Sequence, residues 1–388
     1  MDFNFKEEQL QLADALKRWI ARDYGFDARR EIVRSPAGTS ARAWATMAEL
    51  GLTALPVPEE QGGFAGDAVD MFVVMQELGR GLVVEPYFAT VLGAEFLRLG
   101  GGHGALLERV ASGELKLACA LGERQSRHDM RDIATRAEQD ANGWRLSGEK
   151  KVVLHGAQAG VLVVSARSGG GQRDEGGITL FTVPLDAAGV RVTDYRMLDG
   201  QRAADVHLDG VQLGPDAVIG QPGAGWDVLE AALDYGAGLL CAEAVGAMDA
   251  LFAATLEYLK TRQQFGVPIG KFQALQHRMA DMYIHLEQAR SMALLAAVRL
   301  RSASPAERRS AVSAAKYRVG EAARFVGQQA VQLHGGMGVT DELPAAHYFK
   351  RLSAIELTLG DASHHLARFM AQPGFAGTDA TEPTGAAA

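Results

Sequence analysis

The spacing of apolar residues changes twice along the chain, and this double change restricts the possible folds more than any other feature of the sequence. Up to about residue 115, apolar side chains recur at helical spacing. Short apolar or alternating runs separated by Gly, Asn and Asp then predict strands over 116–225. Helical spacing returns over 226–372. The sequence therefore predicts a mainly α protein with a central all-β domain, either a small barrel or a sandwich, followed by a helical bundle.

The C-terminal part is predicted to consist of long helices with short links. The predicted helices are 227–260, 271–302, 305 to about 334, and about 361–371. The first of them is expected as one helix, or as two helices with a break at Gly236 and Gly238. Residues 304–307 read as a capping box with proline at the first helical position. Residues 373–388 are rich in Gly, Ala, Pro and Thr and are predicted to be a disordered tail.

Charge and cysteine content exclude several classes of function. The formal net charge of the 388 residues is −8, which argues against nucleic acid or an anionic membrane as the main partner. Cys119 and Cys241 are the two cysteines, too few for a disulfide framework or a metal cluster, so no metal is expected. The acidic, amphipathic first residues differ from a secretory or transit signal, and no long uncharged apolar run predicts a membrane span. We therefore expect a cytoplasmic protein.

Residues 262–273 form a polar and aromatic loop between two predicted helices. The loop contains the guanidinium of Arg262, the ring of Phe265, and glycines that allow a ligand to come close, and it ends at the amide of Gln273. A planar guanidinium pairs well with a diphosphate, an aromatic face with a base, and an amide with ribose or phosphate oxygens. This combination favours a dinucleotide site. The alternative is an inter-helix turn in which Arg262 caps helix carbonyls and Phe265 packs inward.

A second stretch, residues 331–338, reads VQLHGGMG at the end of another long helix. Gly335 and Gly336 stop that helix and expose backbone N–H groups. Together with Gln332, this stretch and the 262–273 loop resemble the QxxGGxG and RxxFG…Q segments of the acyl-CoA dehydrogenase family. The resemblance covers nearly the whole chain, and within the family it extends to the small subunits of hetero-oligomeric members.

The resemblance implies a fold, a cofactor and a reaction. In the family, a helical N-terminal domain, a β-barrel middle domain and a C-terminal four-helix bundle bind FAD and dehydrogenate the α,β bond of a CoA thioester in fatty acid metabolism. The implied partners are an acyl-CoA substrate, electron-transfer flavoprotein, and further subunits of a homo- or hetero-oligomer arranged as a dimer of dimers. The resemblance assigns the grip on the FAD diphosphate and adenosine, across a dimer interface, to Arg262, Phe265, Gln273, Gln332, Gly335 and Gly336.

The usual base of the family has no counterpart in this chain. The family Glu that removes the α-proton aligns with Leu359, and the alternative position on the helix before the RxxFG segment aligns with Gly236. The arginine that usually follows that second position is Ala237. Neither leucine nor glycine can accept a proton.

The middle domain departs from the family pattern as well. The TEPxxGSD stretch aligns with residues 122–129, where Glu123 and Asp129 match but the Thr and the Ser do not. The Trp-Ile-Thr that contacts the flavin ring and its N5 aligns with residues 152–154, which read Val-Val-Leu. Residues implied for the nucleotide half of FAD therefore persist, whereas those implied for the ring and the base are lost.

Two carboxylates are candidates for a relocated base. Asp361 lies two residues after Leu359, although capping of the last helix is the preferred interpretation. Glu243 lies in an otherwise apolar segment, where burial would raise the pKa of its carboxyl. An ion pair with an arginine such as Arg262 or Arg324 is the preferred use of Glu243.

These losses lead to three hypotheses. In the first, the chain is a small subunit that lacks the base and supplies the FAD diphosphate clamp to a catalytic partner. In the second, it is a self-sufficient homomeric acyl-CoA dehydrogenase whose base is Asp361 or Glu243. In the third, it is a scaffold or interaction protein of the same fold that binds no flavin.

Overall fold

The computed structural model describes residues 5–141 and 143–372, so the predicted tail 373–388 lies outside the described residues. The predicted order of parts is confirmed, because helices come first, a sheet follows, and a helical bundle completes the described chain. Six helices make up the described N-terminal part: α1 (Glu7–Asp23), α2 (Phe26–Arg34), α3 (Ala41–Glu49), α4 (Ala68–Arg80), α5 (Tyr87–Gly100) and α6 (Gly104–Ala111). α4 and α5 are the most buried of these helices, because their own apolar residues lie on all faces of each helix.

The strands of the middle part form one eight-stranded sheet. They are β1 (Leu117–Ala120), β2 (Arg136–Asp140), β3 (Gly143–Leu154), β4 (Val161–Arg167), β5 (Ile178–Pro184), β6 (Val190–Arg196), β7 (Arg202–Leu213) and β8 (Val218–Ile219). Their order is β6-β7-β3-β2-β4-β5-β8, with β1 parallel to β4. The sequence patterns missed β2, β7 and β8. The side chains of β2 are mostly exposed, and polar residues interrupt β7, so neither strand has a continuous apolar run.

The C-terminal part is a bundle of long helices. Its elements are α7 (Trp226–Thr261), β9 (Gln263–Gln264), β10 (Val267–Pro268), α8 (Gln273–Arg299), α9 (Pro305–His334), α10 (Pro344–Leu357) and α11 (Ala362–Met370). The predicted start of α9 is confirmed, because the Ser304 side chain accepts a hydrogen bond from the backbone N–H of Glu307. α10 was not predicted, although Ala345, Leu352 and Ile355 form a buried stripe at helical spacing.

The break suggested at Gly236 and Gly238 was wrong, because α7 is continuous over 36 residues. Its glycines serve close packing instead of interrupting the helix. A Cβ at Gly236 would lie 2.8 Å from Leu359 Cδ1, and one at Gly246 would collide with the carbonyl oxygen of Gln76 in α4. By length and composition alone α7 could cross a membrane, but 67% of its most apolar window is buried in the protein. That burial accounts for its apolar composition.

A buried ion network joins the three parts. Arg351 of α10 donates to both carboxylate oxygens of Glu243 on α7, at 2.6 and 2.8 Å, and to Asp199 in the β6–β7 turn at 2.9 Å. Arg29 of α2 donates to the backbone oxygens of Asp199 and Leu82, each at 2.8 Å. Every charge in this network has an opposite charge or a carbonyl partner, as burial requires. The network fixes the relative position of the elements that enclose the site.

Candidate active site

A cleft of about 940 Å³ lies between α5, the sheet and the end of α10. Its lining is mostly apolar, with ionisable groups along one side, which suits a ligand that has a long apolar portion and a polar head. Hereafter this cavity is called the cleft. Its lining comprises Phe88, Ala89, Leu92, Cys119, residues 121–124, residues 126–128, Met130, Lys151, Val152, Leu154, Tyr195, Met197, Asp205, Ala354 and residues 357–359.

The two positions that the resemblance gives to the base meet at the cleft. Leu359 and Leu92 both line it, and a Cβ at Gly236 would lie 2.8 Å from Leu359 Cδ1 and 3.1 Å from Leu92 Cδ1. Residues distant in the sequence therefore come together at the cleft. The space between them is filled by leucine methyl groups, and neither position carries a carboxylate.

A buried lysine fixes the loop that carries Leu359. Lys316 Nζ, from α9, donates to the carbonyl oxygens of Ile355 at 2.9 Å, Glu356 at 3.0 Å and Gly360 at 2.8 Å. Leu359 has a φ of 56°, in the left-handed region, and its carbonyl oxygen lies 2.9 Å from His365 Nε2. The loop thus has a defined shape without any ligand.

The carboxylates that line the cleft are engaged by cations. Lys150 Nζ lies 2.7 Å from Glu123, and Lys151 Nζ lies 2.8 Å from Asp205. Burial acts to raise the pKa of Glu123, but Lys150 and several hydrogen bonds lower it to about 2. For Asp205, too, burial acts to raise the pKa, but hydrogen bonds from Lys151 and from the N–H of Val152 lower it. A carboxylate with a lowered pKa is a weak proton acceptor, so neither side chain replaces the usual base.

The segment aligned with the family Trp-Ile-Thr forms one wall of the cleft. Val152 and Leu154 line the cleft, and Val153 is buried behind them. The pairing of β3 with β7 shifts register here, and Val152 takes a φ of 53°. These aliphatic side chains provide neither an aromatic face nor a hydrogen-bond donor. The wall therefore does not fit the ring half of FAD through the side chains that the resemblance implies.

Asp361 has the capping role predicted for it. Its side chain accepts a hydrogen bond from the backbone N–H of His364 at 2.8 Å, at the first turn of α11. Its second carboxylate oxygen lies 3.3 Å from His128 Nε2. Its use as a base stays a prediction.

The predicted partner of Glu243 was wrong. Glu243 pairs with Arg351 and not with Arg262 or Arg324. Arg262 lies at the end of α7, about 28 Å from Glu243 along the helix axis, and this distance is beyond the reach of a side chain. Arg324 lies on α9 and pairs with Glu356 at 2.9 Å. The unpredicted helix α10 supplies the actual partner, so sequence spacing could not reveal it.

A second cavity of about 420 Å³ adjoins the cleft and is called the groove. It is lined mainly by residues of α7, α11 and the 128–131 segment. In its wall, Asp234 accepts from Arg308 at 2.9 Å and from Arg368 at 2.6 Å. These arginines were not predicted as part of the site. They belong to α9 and α11, and only the packing of the bundle brings them to α7.

The 262–273 loop is a β-hairpin that extends from the end of the bundle. β9 and β10 pair across Phe265 and Gly266, whose φ values of 54° and 77° are those of a tight hairpin turn. Phe265 is 89% exposed, so the alternative in which it packs inward is wrong. The guanidinium of Arg262 is exposed and forms no ion pair within residues 5–141 and 143–372.

The glycine-rich segment meets this hairpin at the same end of the bundle. The Tyr258 hydroxyl, near the end of α7, donates to the backbone oxygen of His334 at the end of α9, at 3.3 Å. A Cβ at Gly335 or Gly336 would meet no atom within 4 Å, so the backbone there is open to a ligand. The exposed residues assigned to FAD therefore share one surface, called the clamp: Arg262, Phe265, Gln273, Gln332, Gly335 and Gly336.

The clamp and the cleft do not overlap within the described chain. None of the clamp residues belongs to the described lining of the cleft. A free guanidinium beside open glycine backbone fits a diphosphate, so the clamp fits the nucleotide half of FAD.

Three domain models of one family together match most of the chain. The models are acyl-CoA dehydrogenase N-terminal domain, middle domain and C-terminal domain, which match residues 6–113, 118–211 and 223–371 respectively. The chain belongs to the acyl-CoA dehydrogenase family. Its members are FAD-dependent oxidoreductases, so the predicted fold, cofactor and link to fatty acid metabolism are confirmed at the level of the family.

Individual relatives extend over almost the full length. The probable acyl-CoA dehydrogenase YngJ of Bacillus subtilis is 29% identical over 379 residues, which are 95% of this chain and 98% of the relative. A variant of the Tcur3481-Tcur3483 steroid ACAD is 30% identical, with a TM-score of 0.85, over 94% of this chain and 96% of that one. The ChsE4-ChsE5 complex from Mycobacterium tuberculosis is 26% identical, with a TM-score of 0.86, over 95% of this chain and 97% of that one.

Proposed function

We propose that this chain is the small subunit of a hetero-oligomeric acyl-CoA dehydrogenase, as in pimeloyl-CoA dehydrogenase, and supplies the nucleotide clamp of an FAD site to its partner. Arg262, Phe265 and Gln273, together with Gln332, Gly335 and Gly336, would hold the diphosphate and adenosine. The partner would contribute the ring platform and the Glu that removes the α-proton. FAD, when bound, supplies the acceptor for the hydride from the β-carbon of the thioester.

One observation carries the proposal: Leu359 and Gly236, which the resemblance matches to the two positions of the family base, pack against each other. The family mechanism uses a carboxylate at one of them, because the α-proton of a thioester must be accepted by a positioned group. The leucine methyl groups cannot serve, and the carboxylates of the cleft wall are held by Lys150 and Lys151. By the family mechanism, this cleft would then lack its base.

The position of the clamp also supports the proposal that this chain shares an FAD site with a partner. Its guanidinium and open glycines are exposed at one end of the bundle, outside the lining of this chain's own cleft. Such an arrangement is useful when another subunit brings the rest of the dinucleotide. Two similar solved structures are named for two components, the ChsE4-ChsE5 complex and the Tcur3481-Tcur3483 steroid ACAD, which is the assembly that we propose here.

The proposal also covers the substrate, the electron acceptor, the assembly and the location of the enzyme. The substrate would be a CoA thioester, and electrons would pass to electron-transfer flavoprotein. The assembly would be a dimer of dimers, located in the cytoplasm.

The test compares the chain alone with the chain purified in its native complex. Both preparations are mixed anaerobically with a panel of CoA thioesters while the visible flavin absorbance is recorded. We expect flavin bleaching only in the complex. Rapid bleaching with this chain as the sole polypeptide would overturn the proposal.

The same measurement separates the other two hypotheses. A self-sufficient homomer would bleach, and Asp361→Asn or Glu243→Gln would then abolish bleaching without loss of bound flavin. Asp361 is the better candidate, because it lies beside the loop of Leu359, whereas Glu243 is buried against Arg351. A colourless complex, even with partners co-expressed, would favour the flavin-free scaffold.

A further inference from the structure

One ionisable side chain stands between the two cavities. The cleft and the groove share His128, Met130 and Leu359 in their linings, and His128 is the only titratable residue of the three. The ring of His128 is largely enclosed, with 18% of the side chain exposed. It therefore faces the space where a ligand would pass from the groove into the cleft, next to the leucine that replaces the family base.

The His128 ring is oriented by a carboxylate. Asp361 Oδ2 lies 3.3 Å from His128 Nε2, while Asp361 Oδ1 accepts the backbone N–H of His364 at 2.8 Å. The capping bond holds the carboxylate in place, so Oδ1 caps α11 while Oδ2 orients the His128 ring. A carboxylate beside one ring nitrogen keeps the proton on that nitrogen and leaves Nδ1 as the basic atom.

We propose that His128 and Asp361 form an acid–base dyad that exchanges the α-proton of a CoA thioester in this chain's own cleft. His128 Nδ1 takes the proton from the α-carbon, and the electron pair of that C–H bond moves into the thioester carbonyl to give an enolate. The proton, or a deuteron from solvent, returns to the α-carbon and restores the thioester. No oxidant is needed, so the step does not depend on the half-site function proposed above.

Neighbouring groups favour a charged Asp361 beside the His128 ring. The hydrogen bond from the His364 N–H is the main cause that lowers the pKa of Asp361, and His128 and Arg127 add to it. Asp361 is therefore anionic at neutral pH and can stabilise the imidazolium that forms when His128 accepts a proton. The ring of His364 lies 5.6 Å from that of His128, centroid to centroid. Burial lowers the pKa of His364 to about 4, so this second ring carries no competing charge near neutrality.

Arg127 Nη2 also lies 3.6 Å from Asp361 Oδ2, and the other charges around the dyad have partners of their own. On the chain segment of His128, Asp129 is bound by Arg131 at 2.9 Å. Across the groove, Asp234 of α7 is bound by Arg308 and Arg368. The groups that face His128 directly are thus Asp361, His364 and the neighbouring side chains Arg127 and Asp129.

The experiment measures deuterium uptake at the α-carbon of butyryl-CoA, incubated in D₂O with the purified full-length chain alone and followed by mass spectrometry. We expect exchange well above the buffer rate. His128→Asn should slow it about 100-fold, the order expected for loss of a general base. His207→Asn, a change at an exposed histidine of β7, should leave the rate unchanged.

The substitution Asp361→Asn tests whether the Asp361 carboxylate positions the His128 ring. Asparagine retains the helix cap, so the fold is preserved. The exchange rate should fall about tenfold and the midpoint of the pH profile of exchange should move to lower pH, because the imidazolium that forms loses its carboxylate. A change that merely loosened the structure would lower the rate without moving the midpoint.

Three outcomes would overturn the proposal. They are absence of exchange above the buffer rate in the unaltered chain, an unchanged rate in a folded His128→Asn protein, and an unmoved pH midpoint in Asp361→Asn. Folding of each variant is checked by circular dichroism and thermal unfolding before the rates are compared. The half-site function stands or falls separately, on flavin bleaching.

Discussion

At the scale of single residues, the buried pair of Lys150 and Glu123 connects the sheet to the cleft wall. Lys150 Nζ also donates to the backbone oxygen of Leu121 at 3.2 Å and lies 3.1 Å from Ser165 Oγ. Glu123 accepts a further bond from the backbone N–H of Ala134 at 2.7 Å. Substitution of either member of this buried pair should destabilise the fold, because the remaining charge would stay buried without its counter-ion.

Glu123→Gln should therefore destabilise the fold. The carboxyl pKa falls from 4.5 to about 2 in the folded chain, and burial also lowers the pKa of Lys150, which offsets part of this gain. Removing one member of the buried pair should still cost about 3 kcal/mol at neutral pH, because the other charge is left unpaired. Because the folded pKa is the lower one, this contribution is complete above pH 4.5 and is lost as the pH falls towards 2. Urea unfolding at several pH values measures the difference between variant and parent.

The matched control is Glu138→Gln, at a largely exposed carboxylate paired with Arg145 on the neighbouring strand. Exposed pairs contribute little, so this change should alter the unfolding free energy by less than about 1 kcal/mol. An equal effect of the two substitutions, or a Glu123→Gln effect that does not shrink in acid, would contradict the assigned role of the buried pair.

At the scale of elements, glycines allow α4 and α7 to approach closely. A Cβ at Gly246 would collide with the carbonyl oxygen of Gln76, and one at Gly79 would collide with that of Glu243. The glycines of α7 thus have a packing role at the crossing of two buried helices. This packing requirement explains why α7 contains glycine at its crossing with α4.

Gly246→Ala should destabilise the fold by about 3 kcal/mol, because the obstructing atom is backbone and the two helices must separate. Gly176→Ala is the control, since an added Cβ there meets nothing within 4 Å. Chemical unfolding of the two variants gives the comparison. A stability of the Gly246 variant within about 0.5 kcal/mol of the parent would show that the crossing is looser than described.

The backbone carbonyl groups at the end of α10 accept hydrogen bonds from Lys316 of α9. Lys316→Met should destabilise the fold by about 2 kcal/mol, because buried carbonyls at Ile355, Glu356 and Gly360 lose their donor. Amide hydrogen exchange should also rise in residues 357–361. Lys17→Met, at an exposed lysine of α1, is the control and should leave both measurements unchanged. Faster exchange confined to other segments would argue against the role of Lys316 in this loop.

At the scale of the whole molecule, the clamp and the cleft are separate surfaces of one chain. The clamp lies at the end of the bundle where α7 and α9 finish, and the cleft lies between all three parts. Three large apolar side chains are exposed at the clamp end, Phe265, Met337 and Val339. The assembly that we propose would cover them.

Arg262→Ala should lower the flavin content of the assembled enzyme at least fivefold, because the diphosphate would lose its guanidinium partner, at about 1 kcal/mol or more. The thermal stability of the chain by itself should not change, since Arg262 forms no ion pair within the described residues. Lys260→Ala, at an exposed lysine one turn of helix or less away, is the control. Full flavin stoichiometry in the Arg262 variant would count against the clamp.

The sequence predicted the fold well where a signal is local. Helical and alternating spacing predicted the order of the three parts, and the Ser304 and Asp361 caps were found because each depends on a polar side chain next to its own helix. α10 and β7 were missed, since their apolar residues are interrupted by polar ones that tertiary contacts satisfy. Arg351 of α10 is the clearest case: it pairs with Glu243 and Asp199, whose positions no local pattern reveals.

The amino-acid sequence alone determined which groups this chain has: a guanidinium, amides and glycines suited to a diphosphate, and a leucine and a glycine at the two positions that the resemblance matches to the family base. Only the tertiary structure decided that Leu359 and Gly236 fill one place, that the clamp is remote from the cleft, and that His128 faces Asp361. The reason is physical. Composition and local spacing are properties of neighbouring residues, whereas contacts between distant segments are set by how helices and sheet pack around a shared core.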